Sequence, residues 1–561
     1  MNKKWEYIGV DDEKVKDIAF NHNISEIIAR VLLNRGICEA EEIDKFLHPK
    51  LENLHDPFLL NDMEIAVDKI IECMNKKEKI TIYGDYDVDG ITSIATLSKF
   101  LTELGVENDY YLPNRLDEGY GLNNNALDKI AKGGTKLLIT VDCGISAYEE
   151  IEYAKKLGLE VIVTDHHECP EKIPEALAVI DPKREDSTYP FSSLAGVGVT
   201  FKLIHAISIK LSLDRKRYLK YLDIVCLGTV ADIVPLVDEN RIIVSFGLML
   251  VRETRNIGLR ALIEITGYTA IDSTAISFGI APRINACGRM GEAEIALKLL
   301  LTASPEEAKK IANKLNLLNK ERQEVEKSII NEAIEMIERD KLYNKDIIIV
   351  GSKNWHHGVI GIVASKITEL YYKPSVLISF EDGIGKGSGR SIEGFDLHEA
   401  LTKCGDYLEK FGGHEMAIGL TLKEENFNAF KTKLEEITSE TIDKEAVPSI
   451  KVDAIIEPKS INMDIFASMK LLEPYGESNS SPLFVSKNLK VESVRLLSND
   501  KHIKLTLRDG NILLSAIGFN LGDKVVRLGD KIDLVYALEI NKYNNTETIQ
   551  LNVKDIKKSL N

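Results

Sequence analysis

The chain has 561 residues, of which 44% are hydrophobic, and its formal net charge is −17. This length predicts three or four folded domains of about 150 residues each. The beginning of the chain turns acidic within a dozen residues, and no apolar run reaches the roughly 18 residues that a membrane span needs. We therefore expect a cytoplasmic protein without membrane contact. The seven scattered cysteines, without a C-x-x-C pair, indicate neither a disulfide framework nor a structural zinc site.

The charge is unevenly distributed along the chain. From Lys451 to the C-terminus there are 16 Lys and Arg against 14 Asp and Glu, so this segment carries +2 and the remainder −19. The acidic average alone would argue against nucleic acid, because phosphate binding requires clustered basic side chains. Bound divalent cations would offset acidity locally. Net charge therefore does not decide whether the protein binds nucleic acid.

The first 60 residues predict a helical lead, with helices over 25–33 and 39–46. A first domain over 61–265 follows, in which short apolar runs alternate with amphipathic segments. This βαβ order predicts a parallel sheet that is covered on both faces. The predicted strands are 79–83, 109–112, 136–141, 160–164 and 177–180, and the predicted helices include 92–104 and 146–157, ended by Gly105 and Gly158.

Acidic and imidazole side chains follow three of these strands. Asp85, Asp87 and Asp89 in YGDYDVDG follow the first strand, Asp142 follows the third, and Asp165-His166-His167 follow the fourth. Ligands of such sheets bind beyond the carboxyl ends of the strands, so these side chains converge on one edge. A solvated acidic turn and a simple Asp-His hydrogen bond are the alternatives for each motif taken alone.

The combined set favours a metal centre. Crowded carboxylates repel each other unless a cation lies among them, and hard oxygen donors mixed with imidazole suit Mn²⁺ or Mg²⁺. Asp232 in LGTVADIVPL adds another carboxylate. So many acids predict two ions, and a pair of ions a few ångströms apart suits phosphoester hydrolysis.

Residues 266–345 are expected to connect two domains. Within them, 305–340 has apolar residues at spacings of three, four and seven, with Ser304 as N-cap, Pro305 at N1 and Glu307 at N3. This pattern predicts one helix of 36 residues, about 54 Å long. A helix of that length can hold two domains apart.

The remainder of the chain predicts a second α/β domain over 346–445 and a small β-barrel over 449–561. In the second domain, apolar runs at 346–350, 375–379 and 417–422 alternate with helical segments at 358–371, 397–410 and 425–438. In the tail, period-two patterning with turns at Asp509-Gly510 and Asn544-Asn545 indicates antiparallel strands.

The ordered motifs YGDYDVDG, VDCG, TDHH and GTVADIVPL resemble those of the DHH phosphoesterases. Within that superfamily the chain is most similar to the RecJ family, the single-strand-specific DNA exonucleases of bacteria. Four further motifs support this resemblance, which spans roughly residues 60 to 561: PRINACGRM (282–290), WHHGVIGIVASK (355–366), GKGSGRSIEGFDL (385–397) and FGGHEMAIGL (411–420).

The resemblance implies roles for individual residues of the first domain. The metal ligands would be Asp87, Asp89, Asp142, His166 and Asp232. His167 would contact the scissile phosphate, and Asp165 and Asp85 would complete the catalytic set. One departure concerns Tyr83, which stands where many members of the superfamily have a metal-binding histidine, and Asp85 would substitute for it.

The resemblance also implies a substrate-binding set. Ser388 and Arg390, with Arg115, would hold a terminal 5′ phosphate, and the other phosphate-binding residues would be Arg283, Asn285, Arg289, His357 and His414. Some of these have a structural alternative: a glycine-rich hairpin at 385–391, a helix-cap salt bridge for Arg283, and a helix N-cap role for His356 and His357, with His414 similarly open.

The tail resembles an oligonucleotide-binding (OB) barrel. Lys501, Lys504 and Arg508 would track a DNA backbone, and Phe519 and Tyr536 would stack on bases. Alternating basic residues are equally typical of a solvated strand face.

The resulting hypothesis is a metal-dependent exonuclease that degrades single-stranded DNA in DNA repair and recombination. The family resemblance implies 5′ to 3′ polarity with release of mononucleotides, and a helicase and a single-strand-binding protein as candidate partners. One alternative is a DHH phosphodiesterase for short oligoribonucleotides or cyclic dinucleotides, although such enzymes generally lack a barrel tail. A non-catalytic scaffold is the other alternative, and the complete set of carboxylates argues against it.

Overall fold

The computed structural model describes residues 3–114, 118–119, 121–543 and 546–559. Two α/β domains are joined by a helical region and followed by a β-barrel, against which the N-terminal lead packs. Within the described residues, no helix combines the length and apolar character needed to cross a membrane. The lead consists of β1 (Lys4–Tyr7), α1 (Asp12–His22), α2 (Glu26–Asn34) and α3 (Ala40–Leu47).

The first α/β domain contains a five-stranded parallel sheet of order β3-β2-β4-β5-β6, as the sequence predicts. Strands β2 and β4 are buried along their whole length, which is the expected state of strands with helices on both faces. The elements are α4 (Met63–Lys76), β2 (Ile80–Gly84), α5 (Val88–Glu103), β3 (Asn108–Tyr111), α6 (Asn124–Lys132), β4 (Leu137–Val141), α7 (Tyr148–Lys156), β5 (Glu160–Thr164), β6 (Ala178–Ile180), α8 (Gly196–Lys210), α9 (Lys216–Leu219), α10 (Leu222–Ala231), α11 (Asp238–Arg252) and α12 (Ile257–Thr266).

Helix α5 begins four residues earlier than the predicted helix over 92–104, and this changes the setting of the acidic motif. Asp87 is the N-cap of α5, and its side chain accepts hydrogen bonds from the backbone N–H groups of Asp89 and Gly90. Asp89 therefore lies in the first helical turn, where a negative charge is favoured by the helix dipole.

The connecting region contains α13 (Ser273–Ala275), a π-helical turn (Ile276–Ile280), α14 (Ala281–Arg289), α15 (Ala293–Leu301) and α16 (Pro305–Arg339). The prediction of one long helix is confirmed: α16 has 35 residues, and the Ser304 side chain accepts from the Glu307 N–H at its N-terminus. Its N-terminal half packs into the core of the first domain and its C-terminal half into a cluster with α17 (His357–Tyr371).

The second α/β domain has a mixed sheet of order β10-β11-β9-β8-β7, in which β7 and β8 are parallel. The predicted helix over 397–410 is wrong beyond Thr402. The chain leaves the helix near Gly405, a poor helix former, and then pairs with β11 as a strand. The elements after α17 are β8 (Ser375–Glu381), β9 (Ile384–Arg390), α18 (Leu397–Thr402), β10 (Lys410–His414), β11 (Ala417–Lys423) and α19 (Phe427–Thr441), and β7 (Ile348–Ser352) precedes α17.

The C-terminal barrel is closed, because β14 pairs with both β15 and β17. The prediction of antiparallel pairing is confirmed for the described strands of the barrel except for two parallel pairs, β13 with β14 and β16 with β18. The predicted turn at Asn544-Asn545 lies outside the described residues. The elements are β12 (Ser449–Val452), β13 (Ala454–Ile455), α20 (Met463–Met469), β14 (Phe484–Leu497), β15 (His502–Asp509), β16 (Ile512–Gly518), β17 (Lys531–Tyr543) and β18 (Thr546–Lys558).

The lead shares its hydrophobic core with the barrel. Ile28, Leu32 and Phe46 are buried in the same cluster as Phe484 and Leu505. In addition, β1 pairs in parallel with β12, with Lys4 opposite Ser449. The two ends of the chain therefore form one structural unit.

Candidate active site

The predicted convergence of polar side chains at one edge of the parallel sheet is present. Asp85 follows β2, Asp142 follows β4 and Asp165 follows β5, and these three strands are neighbours in the sheet. Asp232 reaches the same place from the end of α10, where it is the C-cap residue. Three overlapping groups of side chains have ligand atoms within 4.8 Å of one another: Asp142, His166 and His167; Asp89, His166 and Asp232; and Asp85, Asp87 and Asp142.

His166 lies at the centre of this cluster. Its Nε2 atom is 3.2 Å from Asp142 Oδ1, 3.5 Å from Asp232 Oδ2 and 3.8 Å from Asp89 Oδ2. This buried nitrogen makes no hydrogen bond to any described residue. A nitrogen facing three carboxylates without a hydrogen bond is the arrangement expected where a cation binds between them.

The protonation states fit the same interpretation. The pKa of Asp89 is raised well above its ordinary value, mainly by burial and to a lesser extent by repulsion from Asp232 and Asp87. The pKa of Asp142 is also raised, mainly by burial and then by the Asp89 charge. Burial and then the nearby His167 lower the pKa of His166 to about 3, which leaves the neutral imidazole that binds metals. The carboxylates thus need positive charge that His166 does not supply.

Glycines form part of the wall of the cluster. A Cβ atom on Gly196 would lie 2.6 Å from Asp142 Oδ1, and one on Gly228 would lie 2.8 Å from Asp89 Oδ1. The Gly196 and Val197 N–H groups at the N-terminus of α8 donate to the Asp89 carboxylate at 2.6 and 2.8 Å. Sequence analysis missed these residues, although the glycines of AGVGVT (195–200) were an available signal.

His167 and Asp165 form a hydrogen-bonded pair beside the cluster. The His167 Nδ1–H donates to Asp165 Oδ1 at 2.7 Å, and Asp165 also accepts from the N–H groups of His166 and Ile145. Burial opposes a charged His167 ring, but the Asp165 hydrogen bond and the surrounding carboxylates outweigh it and raise the pKa of His167 to about 9. His167 is therefore a cationic donor at neutral pH.

Tyr83 does not take part in the cluster. Its hydroxyl donates to the Gly121 carbonyl at 2.8 Å, and its ring stacks on Tyr111 with centroids 5.4 Å apart. Asp85, in contrast, groups with Asp87 and Asp142. This placement agrees with Asp85 as the residue that substitutes for the histidine of other superfamily members.

Four of the predicted phosphate-binding residues gather around the first turns of α17. A Cβ on Gly358 would lie 2.4 Å from the Arg289 carbonyl oxygen, and Arg289 Nη1 donates to the Gly358 carbonyl. A Cβ on Gly361 would lie 3.1 Å from Ser388 Oγ and 3.4 Å from Arg390 Nη2. With His357 as the first residue of α17, this set surrounds a helix N-terminus, which favours anions.

The glycine-rich segment forms the central strand β9 and not a hairpin turn. Gly387 and Gly389 face the core, where an added Cβ would come within 3 Å of Leu420 and Ile418. The alternation of a strand then puts Ser388 and Arg390 on the opposite face, above α17. The glycines thus pack against the core, and the side chains of Ser388 and Arg390 lie near Gly361 of α17.

A close backbone contact joins these predicted phosphate-binding residues to the acidic motif. A Cβ on Gly288 would lie 2.6 Å from the Tyr86 carbonyl oxygen, within the YGDYDVDG motif. Since Arg289 is the next residue, this contact places the backbone at Arg289 close to the acidic motif.

The remaining predicted residues are placed differently. Arg283 donates to the Gly279 carbonyl and to Asn316 Oδ1, so these contacts are with neutral helix groups and are not the salt bridge of the structural alternative. Asn285 lines a groove together with Ala231, Ile233 and the exposed Phe278. His414 lies on the exposed edge strand β10. Arg115 lies outside the described residues.

His356 also follows its structural alternative. Its Nδ1 accepts a hydrogen bond from the Gly358 N–H as the N-cap of α17. Its ring lies parallel to that of His357, with centroids 5.9 Å apart. His356 therefore orders the helix end at which His357 stands.

The prediction that Tyr536 of the barrel stacks on a base is wrong. Tyr536 is fully buried, and its hydroxyl hydrogen-bonds to Ser486 Oγ, so its ring cannot meet a base. Phe519 is 52% exposed and lies edge-on to His502. Lys504 is exposed opposite the exposed Arg495 on the adjacent strand, so Lys504 and Phe519 of the predicted set lie on the surface and Arg495 adds a further basic side chain.

Comparison with known proteins gives three family-model matches in the order of the domains. Residues 79–229 match the DHH family, N-terminal domain, residues 344–440 match the DHHA1 domain, and residues 452–555 match the RecJ OB domain.

Full-length similarities agree with these matches. A single-stranded-DNA-specific exonuclease RecJ from Bacillus subtilis is 40% identical over 98% of this chain and 70% of the relative. The crystal structure of RecJ from Thermus thermophilus in complex with Mn²⁺ aligns with a TM-score of 0.87 at 29% identity, covering 100% of this chain and 80% of that one. The Mg²⁺ complex of the same protein gives a TM-score of 0.80 at 29% identity, over 100% and 79%.

Proposed function

The chain belongs to the RecJ family of single-stranded-DNA-specific exonucleases, and on that basis we propose that it degrades single-stranded DNA from the 5′ end and releases 5′-mononucleotides. It is a metal-dependent hydrolase of phosphodiester bonds that uses Mn²⁺ or Mg²⁺. The observation that carries the proposal is the buried cluster in which His166 Nε2 lies within 3.8 Å of three carboxylates.

The metal centre would be held by Asp87, Asp89, Asp142, His166 and Asp232, with Asp85 beside Asp87. Bound divalent ions supply Lewis acidity to the phosphate and lower the pKa of water. The glycines at 196 and 228 support this assignment, since any larger residue would intrude on the carboxylates.

His167 would donate to a non-bridging oxygen of the scissile phosphate. Asp165 orients the imidazole by accepting from Nδ1 and stabilises its charged form. A fixed cationic donor is worth most where negative charge develops in the transition state. Asp165 is thus a positioning residue, and His167 the group that touches the substrate.

The 5′ phosphate would bind at the N-terminus of α17 among Arg289, His357, Ser388 and Arg390. Close backbone contacts between Gly288 and Tyr86 and between Gly358 and Arg289 link this set to the acidic motif. A terminal phosphate held there would place the adjacent phosphodiester toward the carboxylates, which favours 5′ to 3′ polarity. The close approach of the two domains favours one strand over a duplex.

The barrel distinguishes this proposal from the small-substrate alternative. A closed barrel with an exposed basic and aromatic surface, described above for Lys504, Arg495 and Phe519, suits a polymer that extends away from the cleft. A dinucleotide would not reach it. A phosphodiesterase for short oligoribonucleotides or cyclic dinucleotides is therefore not favoured.

The cellular setting follows from the substrate. We propose a cytoplasmic location, where DNA is accessible to the enzyme, and a role in DNA repair and recombination. A helicase would generate the single strands and a single-strand-binding protein would keep them open.

Digestion of long single strands labelled at either end tests polarity and strand preference together. With Mn²⁺ and separately with Mg²⁺, a 5′ label should appear at once as a mononucleotide while a 3′ label remains in long products. Matched duplexes should resist. Early release of the 3′ label, or faster turnover of a dinucleotide than of the long strand, would refute the proposal.

A further inference from the structure

The metal ligand Asp232 is held in a strained loop. Residues 232–237 connect α10 and α11, and two non-glycine residues at this turn adopt left-handed backbone conformations: Ile233 with φ of 60° and Asp238 with φ of 43°. Such conformations are disfavoured, most of all for a β-branched residue, and persist only where surrounding contacts enforce them. Ile233 itself is 69% exposed, so its own side chain does not enforce the turn.

Gly476 and Glu477, which precede strand β14 of the barrel, contact this loop. The Leu236 N–H donates to the Glu477 carbonyl at 2.9 Å. Gly476 packs against the Leu236 side chain so tightly that an added Cβ would lie 2.4 Å from its Cδ1 and 2.8 Å from its Cγ. Leu236 is 2% exposed, so it has little room to move away.

The segment that makes these contacts, residues 471–477, is itself rigidly held, and we call it the brace. The Arg241 guanidinium, on α11, donates to the backbone carbonyls of Leu471, Leu472 and Glu473. The Ser273 hydroxyl donates to the Tyr475 carbonyl. The brace therefore touches the Asp232 loop at one end and the start of the following helix at the other.

We propose that the brace positions Asp232 for metal binding, so that the segment leading into the barrel is a working part of the metal centre. Gly476 and Leu236 are the positioning residues. Asp232 Oδ2 lies 3.5 Å from His166 Nε2, and a shift of the loop would carry this oxygen away from the cluster. Residues that orient metal ligands typically change metal affinity by 10- to 100-fold when altered. The inference rests on the metal centre proposed above.

The test compares Mn²⁺ binding to full-length variants by isothermal titration calorimetry. Gly476→Ala should weaken Mn²⁺ binding about tenfold, and high Mn²⁺ concentration should restore the rate of DNA hydrolysis. Leu236→Ala removes packing but no backbone contact, and should weaken binding by about threefold. Gly9→Ala is the matched control, because its added methyl group meets nothing within 4 Å.

The double variant Gly476→Ala/Leu236→Ala is decisive. The new Cβ would lie 3.7 Å from the remaining Leu236 Cβ position, an ordinary contact, so Mn²⁺ binding should return to the level of Leu236→Ala alone. Two results would show that the brace has no positioning role. One is that the losses of Mn²⁺ affinity in the two single variants multiply in the double variant. The other is that Gly476→Ala lowers the melting temperature without weakening Mn²⁺ binding.

Two further results, a misfolded Gly476→Ala variant and a wild-type protein that does not bind Mn²⁺, can be distinguished from failure of the brace. If Gly476→Ala does not fold, Leu236→Ala carries the test, and unchanged Mn²⁺ affinity in that variant overturns the proposal. Hydrogen exchange of the 232–238 segment in Leu236→Ala should be faster than in the wild type. Failure of the wild-type protein to bind Mn²⁺ would refute the metal centre itself, whereas wild-type binding with unaffected variants would refute only the brace.

Discussion

The first α/β domain and the C-terminal barrel present their functional side chains in opposite ways. In the first domain, Asp89 and Asp142 are buried and fixed by the carboxyl ends of parallel strands and by helix termini. In the barrel, Phe519 and Lys504 are exposed on strands or loops whose inner faces form the core. The comparison shows that a buried cluster of carboxylates indicates a bound cation, because its charge is not neutralised by the protein. An exposed basic or aromatic side chain indicates only that a ligand could reach it.

The largest expected effect comes from removing one buried carboxylate. Asp89→Ala should reduce hydrolysis by more than about 10³-fold, because Asp89 belongs to the group that would hold a metal ion. Binding of single-stranded DNA should change little, since it depends on phosphate and base contacts elsewhere. Turnover and fluorescence anisotropy measure the two quantities, and Asp109→Ala, which removes an exposed carboxylate, is the control. Retained hydrolysis with Mn²⁺ would contradict the ligand assignment.

A smaller effect is expected from the residue behind His167. Asp165→Asn should lower kcat by about 10³-fold, because the carboxylate that keeps His167 charged is lost. The KM for DNA should change by less than threefold if Asp165 acts only through His167. Steady-state kinetics separate these quantities, with Asp128→Asn, which lies next to Tyr153 on the surface, as control. An equal rise in KM would show a direct role in substrate binding.

Removal of the metal should distinguish the two regions thermodynamically. Mn²⁺ at 100 times its Kd should stabilise the protein by about 2.7 kcal/mol, since the ion binds only the folded state. Hydrogen exchange after chelation should accelerate around residues 85–89 and 142 and remain unchanged in β15 and β16 of the barrel. The Asp89→Ala variant should show a much smaller response. If hydrogen exchange in β15 and β16 accelerated equally after chelation, the first domain and the barrel would not differ in their dependence on the metal.

The smallest effect concerns two aromatic residues of the barrel. Phe519→Ala should weaken binding of single-stranded DNA by about 1 kcal/mol, the lower range for one stacked base. Tyr536→Phe should leave DNA affinity unchanged and lower stability by about 1 kcal/mol, because it removes the hydroxyl bonded to Ser486. Filter binding and thermal denaturation check both. Equal DNA binding by wild type and Phe519→Ala would remove Phe519 from the interface.

Much of the first domain can be predicted from the sequence because its strands and turns depend on residues that are close together in the chain. Apolar runs define the strands, and the side chains just beyond Tyr83, Val141 and Thr164 must meet at one edge of a parallel sheet. The prediction of a metal centre follows from the residue types gathered there. Ser304 likewise marks the start of α16 through local capping chemistry.

What the sequence does not predict depends on distant contacts. Alternation in KIDLVYALEI could not tell that Tyr536 points into the barrel with its hydroxyl on Ser486. The bond between Leu236 and Glu477 joins residues 241 positions apart, and no local pattern signals it. The predicted helix over 397–410 ends in the structure at Thr402, and Lys410 instead begins a strand whose conformation depends on pairing with β11.

The pairing of β1 with β12 has a consequence for how the protein is made. Trp5 meets Ile450 only after most of the chain has left the ribosome, and the apolar face of α2, with Ile28 and Leu32, finds its core only when β14 and β15 have been synthesised. Contacts so distant in sequence form slowly, and the waiting apolar surface is open to aggregation. We expect the nascent lead to be a client of ribosome-associated chaperones, and to be released when the last strands close the barrel.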